Sequence, residues 1–322
     1  MPTIEPPPLD AHLQSLLQMA VNEDMVGPKH SENGGGDKTV ELAIPESLTA
    51  SATIVARTPG TLAGAFLLAP ILALYKNPPQ LTLLTPDGSK LARNQPIAKL
   101  QGSARTILSA ERTLLNFLGH LSGIATLTAQ YVDAIADINS TPHGTPPKIV
   151  DTRKTTPAFR TLDKYAVRCG GGHNHRIGLY DGVMLKDNHL LALREKLGAG
   201  GANLSLAQLT HELRKQLDPA ITLWLEVDTL DQLKDALQPD WQHGADIILL
   251  DNFTPAQMHE AVHLRNAAHS PGHIPHFTPL LEASGGITLD NLRDVAATGI
   301  DRIAIGALTH SAKVLDLSME FE

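Results

Sequence analysis

Between Asp151 and Asp187 the chain concentrates groups able to grip an anion: Arg153, Lys154, Arg176 and Lys186, with His175 beside them. Arg offers a bidentate fork and Lys a point charge, a pairing suited to carboxylates and phosphates. From Asp151 to Arg194 eight Lys/Arg stand against four acids, a local +4 inside a chain of formal charge −8. A basic island in an acidic protein points to a focused site for a small anion. The overall acidity argues against a nucleic-acid partner. Two later carboxylates, Glu226 and Asp251, could hold Mg2+ or ribose hydroxyls. Ser284-Gly285-Gly286, ahead of a helix expected from about Leu289, and Gly306-Ala307-Leu308, ahead of the last helix, are small-residue turns. The backbone N–H groups of such turns can cradle a phosphate.

Each of these groups closes a short apolar run. KIV ends in Asp151-Thr152-Arg153-Lys154, GVML in Lys186, TLWL in Glu226, DIILL in Asp251, LLEA in Ser284 and RIAI in Gly306. Helical stretches such as Leu206–Leu217 and Leu230–Leu237 separate most of them. Continuous apolar strands alternating with helices predict a buried parallel sheet. In β/α barrels the loops after the strands build the active site. Six recognisable strands, against eight for a closed barrel, predict an incomplete one. Upstream the texture differs. A helix is expected over Asp10–Met19, then antiparallel strand-like pieces at Ala52–Arg57, Thr61–Leu67, Leu81–Thr85 and Gln95–Ala104. Ser109 is the expected N-cap of a helical region reaching about Ile138, interrupted near Gly119–Gly123. The expected class is therefore α/β, with a first domain over residues 1–143 and a barrel over 144–322. The C-terminal residues are free to return to the first domain.

Other readings of the same residues are weaker. The single cysteine, Cys169, excludes an internal disulfide and fits a reducing, cytoplasmic setting. The acidic, proline-rich start lacks the pattern of a secretory signal, and no apolar run approaches the roughly 20 residues of a membrane span. Lys186 as a Schiff-base amine would need a desolvated site, and this one is crowded with cations. Cys169, His173 and His175 do not make a four-ligand zinc set, and Cys169 reads as buried and inert. The Gly-rich stretch Val26–Lys38 reads as a loop, and His269, His273 and His276 as solvated loop histidines.

The strings SAERTLLNFLGHLSGIAT, DTRKTTPAFRTLDKYAVRCGGGHNHRIGLYDGVMLKDNH, EVDT, LLDNF, EASGGI and IGALTHS resemble quinolinate phosphoribosyltransferases from about Ala52 onward. The resemblance departs at Val26–Gly35, Thr141–Pro147 and Asn266–Pro279, and LARNQP lacks a glycine expected before the next strand. It implies an N-terminal α/β sandwich, an incomplete α/β barrel, and a dimer or multiple of dimers with shared active sites. The implied reaction joins quinolinate and phosphoribosyl pyrophosphate with Mg2+, giving nicotinate mononucleotide, CO2 and pyrophosphate. By the same resemblance Arg153, His175, Arg176 and Lys186 hold the quinolinate carboxylates, Thr152 is a further substrate-binding residue, and Lys154 and Lys186 line the substrate and diphosphate region. Glu226 and Asp251 serve the ribose and metal. Ser284, Gly285, Gly286, Ile287, Gly306, Ala307 and Leu308 take the 5′-phosphate, and Arg112 reaches the partner's pocket. Lys154, Lys186, Glu226 and Asp251 are the implied catalytic set. A phosphoribosyltransferase for another ring acid, a molybdenum-associated relative, and a non-catalytic phosphate sensor are the competing functions.

Overall fold

A computed structural model describes residues 4–26, 35–198, 201, 203–238, 244–268 and 278–322. Most of the loop expected over Val26–Lys38, and His269, His273 and His276, lie outside them. The first elements in chain order are α1 (Ala11–Met25), α2 (Lys38–Ala43), β1 (Thr49–Ala56), β2 (Gly60–Thr61), α3 (Leu68–Leu72), β3 (Gln80–Leu83), β4 (Lys90–Leu91), β5 (Pro96–Ser103) and α4 (Ala104–Ala134). There follow β6 (Lys148–Val150), α5 (Arg160–Cys169), β7 (Gly182–Leu185), α6 (Asp187–Lys196), α7 (Leu206–Arg214), β8 (Thr222–Val227), α8 (Leu230–Ala236) and β9 (Ile247–Asp251). The last are α9 (Pro255–Ala268), β10 (Leu280–Ser284), α10 (Leu292–Ala296), β11 (Arg302–Ala304), α11 (Ala307–His310) and β12 (Leu317–Phe321).

The chain forms two compact units. Residues 1–130, 154–172 and 307–322 make the first, and 131–153 with 173–306 the second. The chain thus passes between them four times, at 130/131, 153/154, 172/173 and 306/307; the sequence suggested a boundary near 143 with a return of the C-terminal residues.

The first unit is built on an antiparallel sheet in the order β12-β1-β5-β3. The C-terminal strand closes it at one edge, with Met319 opposite Ile54. Helix α1 starts at its Asp10 cap, whose carboxylate accepts the Leu13 N–H, and buries Leu13, Leu16, Leu17 and Val21 at helical spacing. It runs six residues beyond the expected Met19.

Three local expectations are overturned here. Thr61–Leu67 is not a strand beyond Thr61. Gly64 takes φ +100°, and Asp87 accepts the Ala65 N–H at 2.9 Å, which turns the chain into a 3-10 turn and then α3. Leu62, Leu67, Leu68 and Ile71 are all buried, so this apolar run carries no periodicity to read. Ser109 caps nothing; α4 begins five residues earlier and runs unbroken for 31 residues. Gly119 and Gly123 leave that helix intact because they are seats for the C-terminal segment. A Cβ on Gly123 would lie 2.2 Å from the Lys313 carbonyl, and the Leu315 N–H donates to the Gly119 carbonyl at 3.0 Å. In LARNQP, Asn94 supplies the conformation a glycine would have given, at φ +63°, a region that Asn tolerates better than most residues.

The second unit is an open parallel sheet in the order β6-β11-β10-β9-β8-β7, an incomplete barrel as expected. One face is uniformly apolar and buried: Ile149, Ile303, Leu281, Ala283, Ile248, Leu250, Leu223 and Leu225. The other carries the chemistry.

Candidate active site

Side chains alternate along a strand, so register decides which groups share a face. Trp224 pairs with Met184 and Ile247. One pleat further, Glu226 pairs with Leu249, Leu249 with Glu282, and Glu282 with Arg302. Another pleat on, Asp251 pairs with Ser284. Trp224, Glu226, Asp251, Glu282, Ser284 and Arg302 therefore project from one face. Lys186 directly follows β7 and its ammonium is ion-paired with the Glu226 carboxylate. Lys186 is half-exposed and Glu226 mostly covered, so the cation is the more accessible partner.

Arg176 reaches the same face one pleat lower. Its guanidinium lies over the Trp224 ring at 6.0 Å and donates to the Gly182 carbonyl at 3.2 Å. Burial lowers its pKa, Arg153 adds to the effect, and Asp181 and Glu282 oppose it. Arg153 and Arg176 are therefore near enough to repel each other. The Nε atom of each is buried with no hydrogen-bond partner among the described residues. Two like charges held this close are eased by an anion, so the half-buried pair fits a ligand bearing more than one carboxylate.

His175 is held on every side. Its backbone N–H donates to Asp151 Oδ1 at 2.8 Å, and its ring stacks on Trp224 at 4.7 Å. Nε2 lies 3.1 Å from Glu282 Oε1, and Nδ1 accepts the Arg176 N–H at 2.7 Å. Glu282 is fully buried; its Oε2 accepts from the Arg302 Nε at 2.6 Å, while Oε1, on the His175 side, has no hydrogen-bond partner among the described residues. Burial works against its charge, but the neighbouring His175 and Arg302 hold the carboxyl below its ordinary range.

The turn after β10 is tightly specified. Gly285 has φ +94° and Gly286 φ +62°. A Cβ on Gly285 would meet Asn252 Oδ1 at 2.1 Å, while one on Gly286 would meet nothing. Asn252 itself has φ +55°; its backbone N–H donates to the Ser284 carbonyl and its side chain to Asp251 Oδ2, both at 2.8 Å. Ile287 is buried. The helix expected from Leu289 begins only at Leu292 and spans five residues, so the turn rather than a helix end supplies any free N–H groups.

Of the sequence-derived residues, Thr152, Arg153, His175, Arg176, Lys186, Glu226, Asp251, Ser284–Ile287 and Gly306 belong to the second unit. Arg112, Lys154, Ala307 and Leu308 belong to the first. There Arg112 is exposed on α4 and Leu308 is fully buried. Lys154 lines a hollow with His120, Thr155, Thr156, Thr309 and His310, and its carbonyl accepts the Thr309 hydroxyl at 2.8 Å. Sequence reasoning passed over Glu282, Trp224, Arg302 and His310. Glu282 had a signal, as an acid inside the apolar run LLEA, on the pattern of Glu226 in TLWLEV. Trp224 and Arg302 had none, since neither closes a strand.

The family model described as quinolinate phosphoribosyl transferase, N-terminal domain, matches residues 37–122, and the C-terminal domain model matches 124–320. A nicotinate-nucleotide pyrophosphorylase (carboxylating) of Mycobacterium leprae is 39% identical over 306 residues, 94% of this chain and 95% of its own. A probable nicotinate-nucleotide pyrophosphorylase (carboxylating) of Bacillus subtilis is 39% identical over 287 residues, 89% of this chain and 88% of its own. Among solved structures, the nicotinate-nucleotide pyrophosphorylase from Francisella tularensis superposes with a TM-score of 0.79 at 34% identity, covering 99% of both chains. Matched in sequence and in fold over nearly its whole length, the chain belongs to the quinolinate phosphoribosyltransferase family.

Proposed function

We propose that this protein transfers the phosphoribosyl group of phosphoribosyl pyrophosphate to quinolinate, releasing pyrophosphate and CO2 and forming nicotinate mononucleotide for NAD synthesis. The observation that carries this reading is the pair of neighbouring, half-buried guanidinium groups, Arg153 and Arg176, the latter over Trp224 on the face that carries the Lys186–Glu226 pair. Three cations at one site suit a pyridine dicarboxylate better than a monocarboxylate.

These residues hold the acceptor and orient its ring nitrogen toward the ribose, converting a bimolecular encounter into a positioned one. Departure of pyrophosphate leaves positive charge at the ribose C1, which the Glu226 and Asp251 carboxylates stabilise. Attack by the nitrogen makes a pyridinium. Its charge stabilises the carbanion left as the adjacent carboxylate departs as CO2, and that carbon then takes a proton. Lys154 serves the diphosphate side, and the backbone turns at Ser284–Ile287 and Gly306–Leu308 the 5′-phosphate. Arg112 enters the acceptor pocket of a second copy in a homodimer.

No group of three or more His, Cys, Asp or Glu gathers among the described residues. Glu226 and Asp251 lie on one face one pleat apart, on neighbouring strands. One or two carboxylates, completed by substrate phosphate and water, are the usual donor set for Mg2+, so the pair fits that ion. Bound there, Mg2+ would neutralise charge on the departing pyrophosphate. No described helix is long and apolar enough to cross a membrane. Cytoplasmic residence accords with the lone thiol, Cys169, whose pKa burial first and Asp87 second push up to about 12.

The test is direct. Purified protein with Mg2+, phosphoribosyl pyrophosphate and ring-labelled quinolinate yields labelled CO2 and mononucleotide in equal amounts, and nicotinate in place of quinolinate yields far less. Equal turnover of nicotinate, or none with quinolinate, overturns the proposal.

A further inference from the structure

His175 and Arg176, two of the side chains expected to grip the acceptor, meet the same indole. The Trp224 ring stacks on the His175 imidazole with centroids 4.7 Å apart and planes 27° from parallel. The Arg176 guanidinium lies over the same residue, 6.0 Å from the ring centroid. Trp224 stands on β8 two residues before Glu226, on the face that carries the site, and is 6% exposed. The other contacts of the guanidinium are the Gly182 carbonyl and the Met184 sulfur, each at 3.2 Å. A ring face, a carbonyl and a thioether fix the group without neutralising it. Arg153 repels it, while Asp181 and Glu282 attract it through charge alone. Its own charge is thus left for a ligand. Gly182 makes room for this arrangement: a Cβ there would lie 2.6 Å from Trp224 Cζ3 and 3.0 Å from Arg176 Cδ.

We propose that Trp224 is a positioning residue for the acceptor site. Its indole sets the His175 ring and the Arg176 guanidinium against one flat surface, and so presents both to the acceptor's carboxylates. It acts through these two side chains and not by touching the acceptor. The identity of the acceptor rests on the function proposed above; the platform itself does not. An Arg side chain loose among its rotamers, beside a like charge, loses that freedom only on binding, and affinity falls accordingly. The indole face attracts a cation more strongly than any other ring side chain and leaves the guanidinium fork open to an anion. Leucine would fill part of the same space but has no π-face, and phenylalanine would keep a smaller one.

Two measurements test this. In substrate-free wild-type protein, NMR of the carbon-bound ring protons of His175, identified by their loss in His175→Gln, shows them upfield of those of an unstacked histidine. The displacement is lost in Trp224→Leu and largely kept in Trp224→Phe. Unshifted His175 protons in the wild type overturn the proposal, and this observation needs neither a substrate nor a Trp224 variant that folds. In steady-state kinetics Trp224→Leu raises the quinolinate KM roughly tenfold, the scale of a cation–π contact and a ring stack lost together, and leaves kcat and the KM for phosphoribosyl pyrophosphate within about twofold. Trp224→Phe brings the quinolinate KM back to within about threefold of the wild type. Should Trp224→Leu not fold, Trp224→Met, apolar and without a ring face, takes its place with the same expectation. An unchanged quinolinate KM in the variant without a ring, a rise in Trp224→Phe as large as in that variant, or equal rises in both constants overturns the positioning role. Wild-type protein with shifted His175 protons that does not turn over quinolinate sinks the function proposed above and leaves the platform standing.

Discussion

Lys186 and Glu226 sit opposite each other across β7 and β8, and before any substrate arrives their side chains are ion-paired. The cation assigned to quinolinate is thus held by the acid assigned to the ribose. Removing Glu226 should free Lys186 for the acceptor while depriving the developing ribose cation of its nearest carboxylate. Glu226→Ala is expected to lower kcat by roughly a hundredfold, the scale of one lost electrostatic stabiliser, with a quinolinate Kd unchanged or tighter. Equilibrium dialysis and steady-state kinetics separate the two effects. A weakened Kd with normal kcat would place Glu226 on the acceptor rather than the ribose.

Arg176 holds a half-buried guanidinium in a site already crowded by Arg153. Arg176→Ala should weaken quinolinate binding by about 10- to 100-fold, the equivalent of a charge-assisted hydrogen bond lost. Arg176→Lys should recover little, because a point charge reproduces neither the fork nor the contact with Trp224. Full activity in the lysine variant would show that charge alone suffices.

Much of the site was legible because strand ends are punctuated. Lys186, Glu226, Asp251 and Ser284 each end an apolar run, and the register places the last three on one face. The barrel strands were found for the same reason, as unbroken apolar stretches. Contacts remote along the chain were not legible. Gly119 and Gly123 read as breakers, yet they are the places where Lys313 and Leu315 pass close to α4. His175 read as a cation beside cations, because Glu282 is more than a hundred positions away in the sequence and engages it only once β10 is in place. Thr61–Leu67 misled because a wholly buried segment has no polar side to set its period.

The two glycines after β10 should behave differently. Gly285→Ala drives a methyl into the Asn252 side chain, which also holds Asp251, and adds strain at φ +94°. Gly286→Ala meets no atom and costs only the left-handed backbone, about 1 kcal/mol. The expected outcome is a larger rise in the KM for phosphoribosyl pyrophosphate in Gly285→Ala than in Gly286→Ala. The reverse ranking would mean that the space over Gly286, not the Asn252 contact, matters to the donor.

At the opposite ends of the strands, buried ion pairs do structural work. Arg265, 1% exposed, is paired with Asp301, which also accepts the Leu281 N–H at 2.8 Å just before β11. Removing one member strands a buried charge, at a cost of about 3–5 kcal/mol. Asp301→Ala should therefore lower the urea midpoint markedly while leaving the quinolinate KM of the folded fraction unchanged. In barrels of this kind the start of a strand serves stability and its end serves chemistry. A KM change without loss of stability would contradict that division.

Glu282 also predicts a pH signature. Its pKa in the folded chain lies below its ordinary value, so on acidification the unfolded chain takes up the proton first. The stability it contributes is fully present above the ordinary carboxylate range, about pH 4.3. It is lost as pH falls through the lower folded value. Glu282→Gln lacks this contribution and leaves Arg302 without its counter-charge, so at neutral pH the variant unfolds at lower urea. As the pH is lowered the wild type gives up its advantage and the two midpoints converge. Urea unfolding followed across the acid range reads this directly: a gap that stays constant would mean that the Glu282 carboxyl titrates alike in the folded and unfolded chains, and that its contacts with His175 and Arg302 do not favour the charged form.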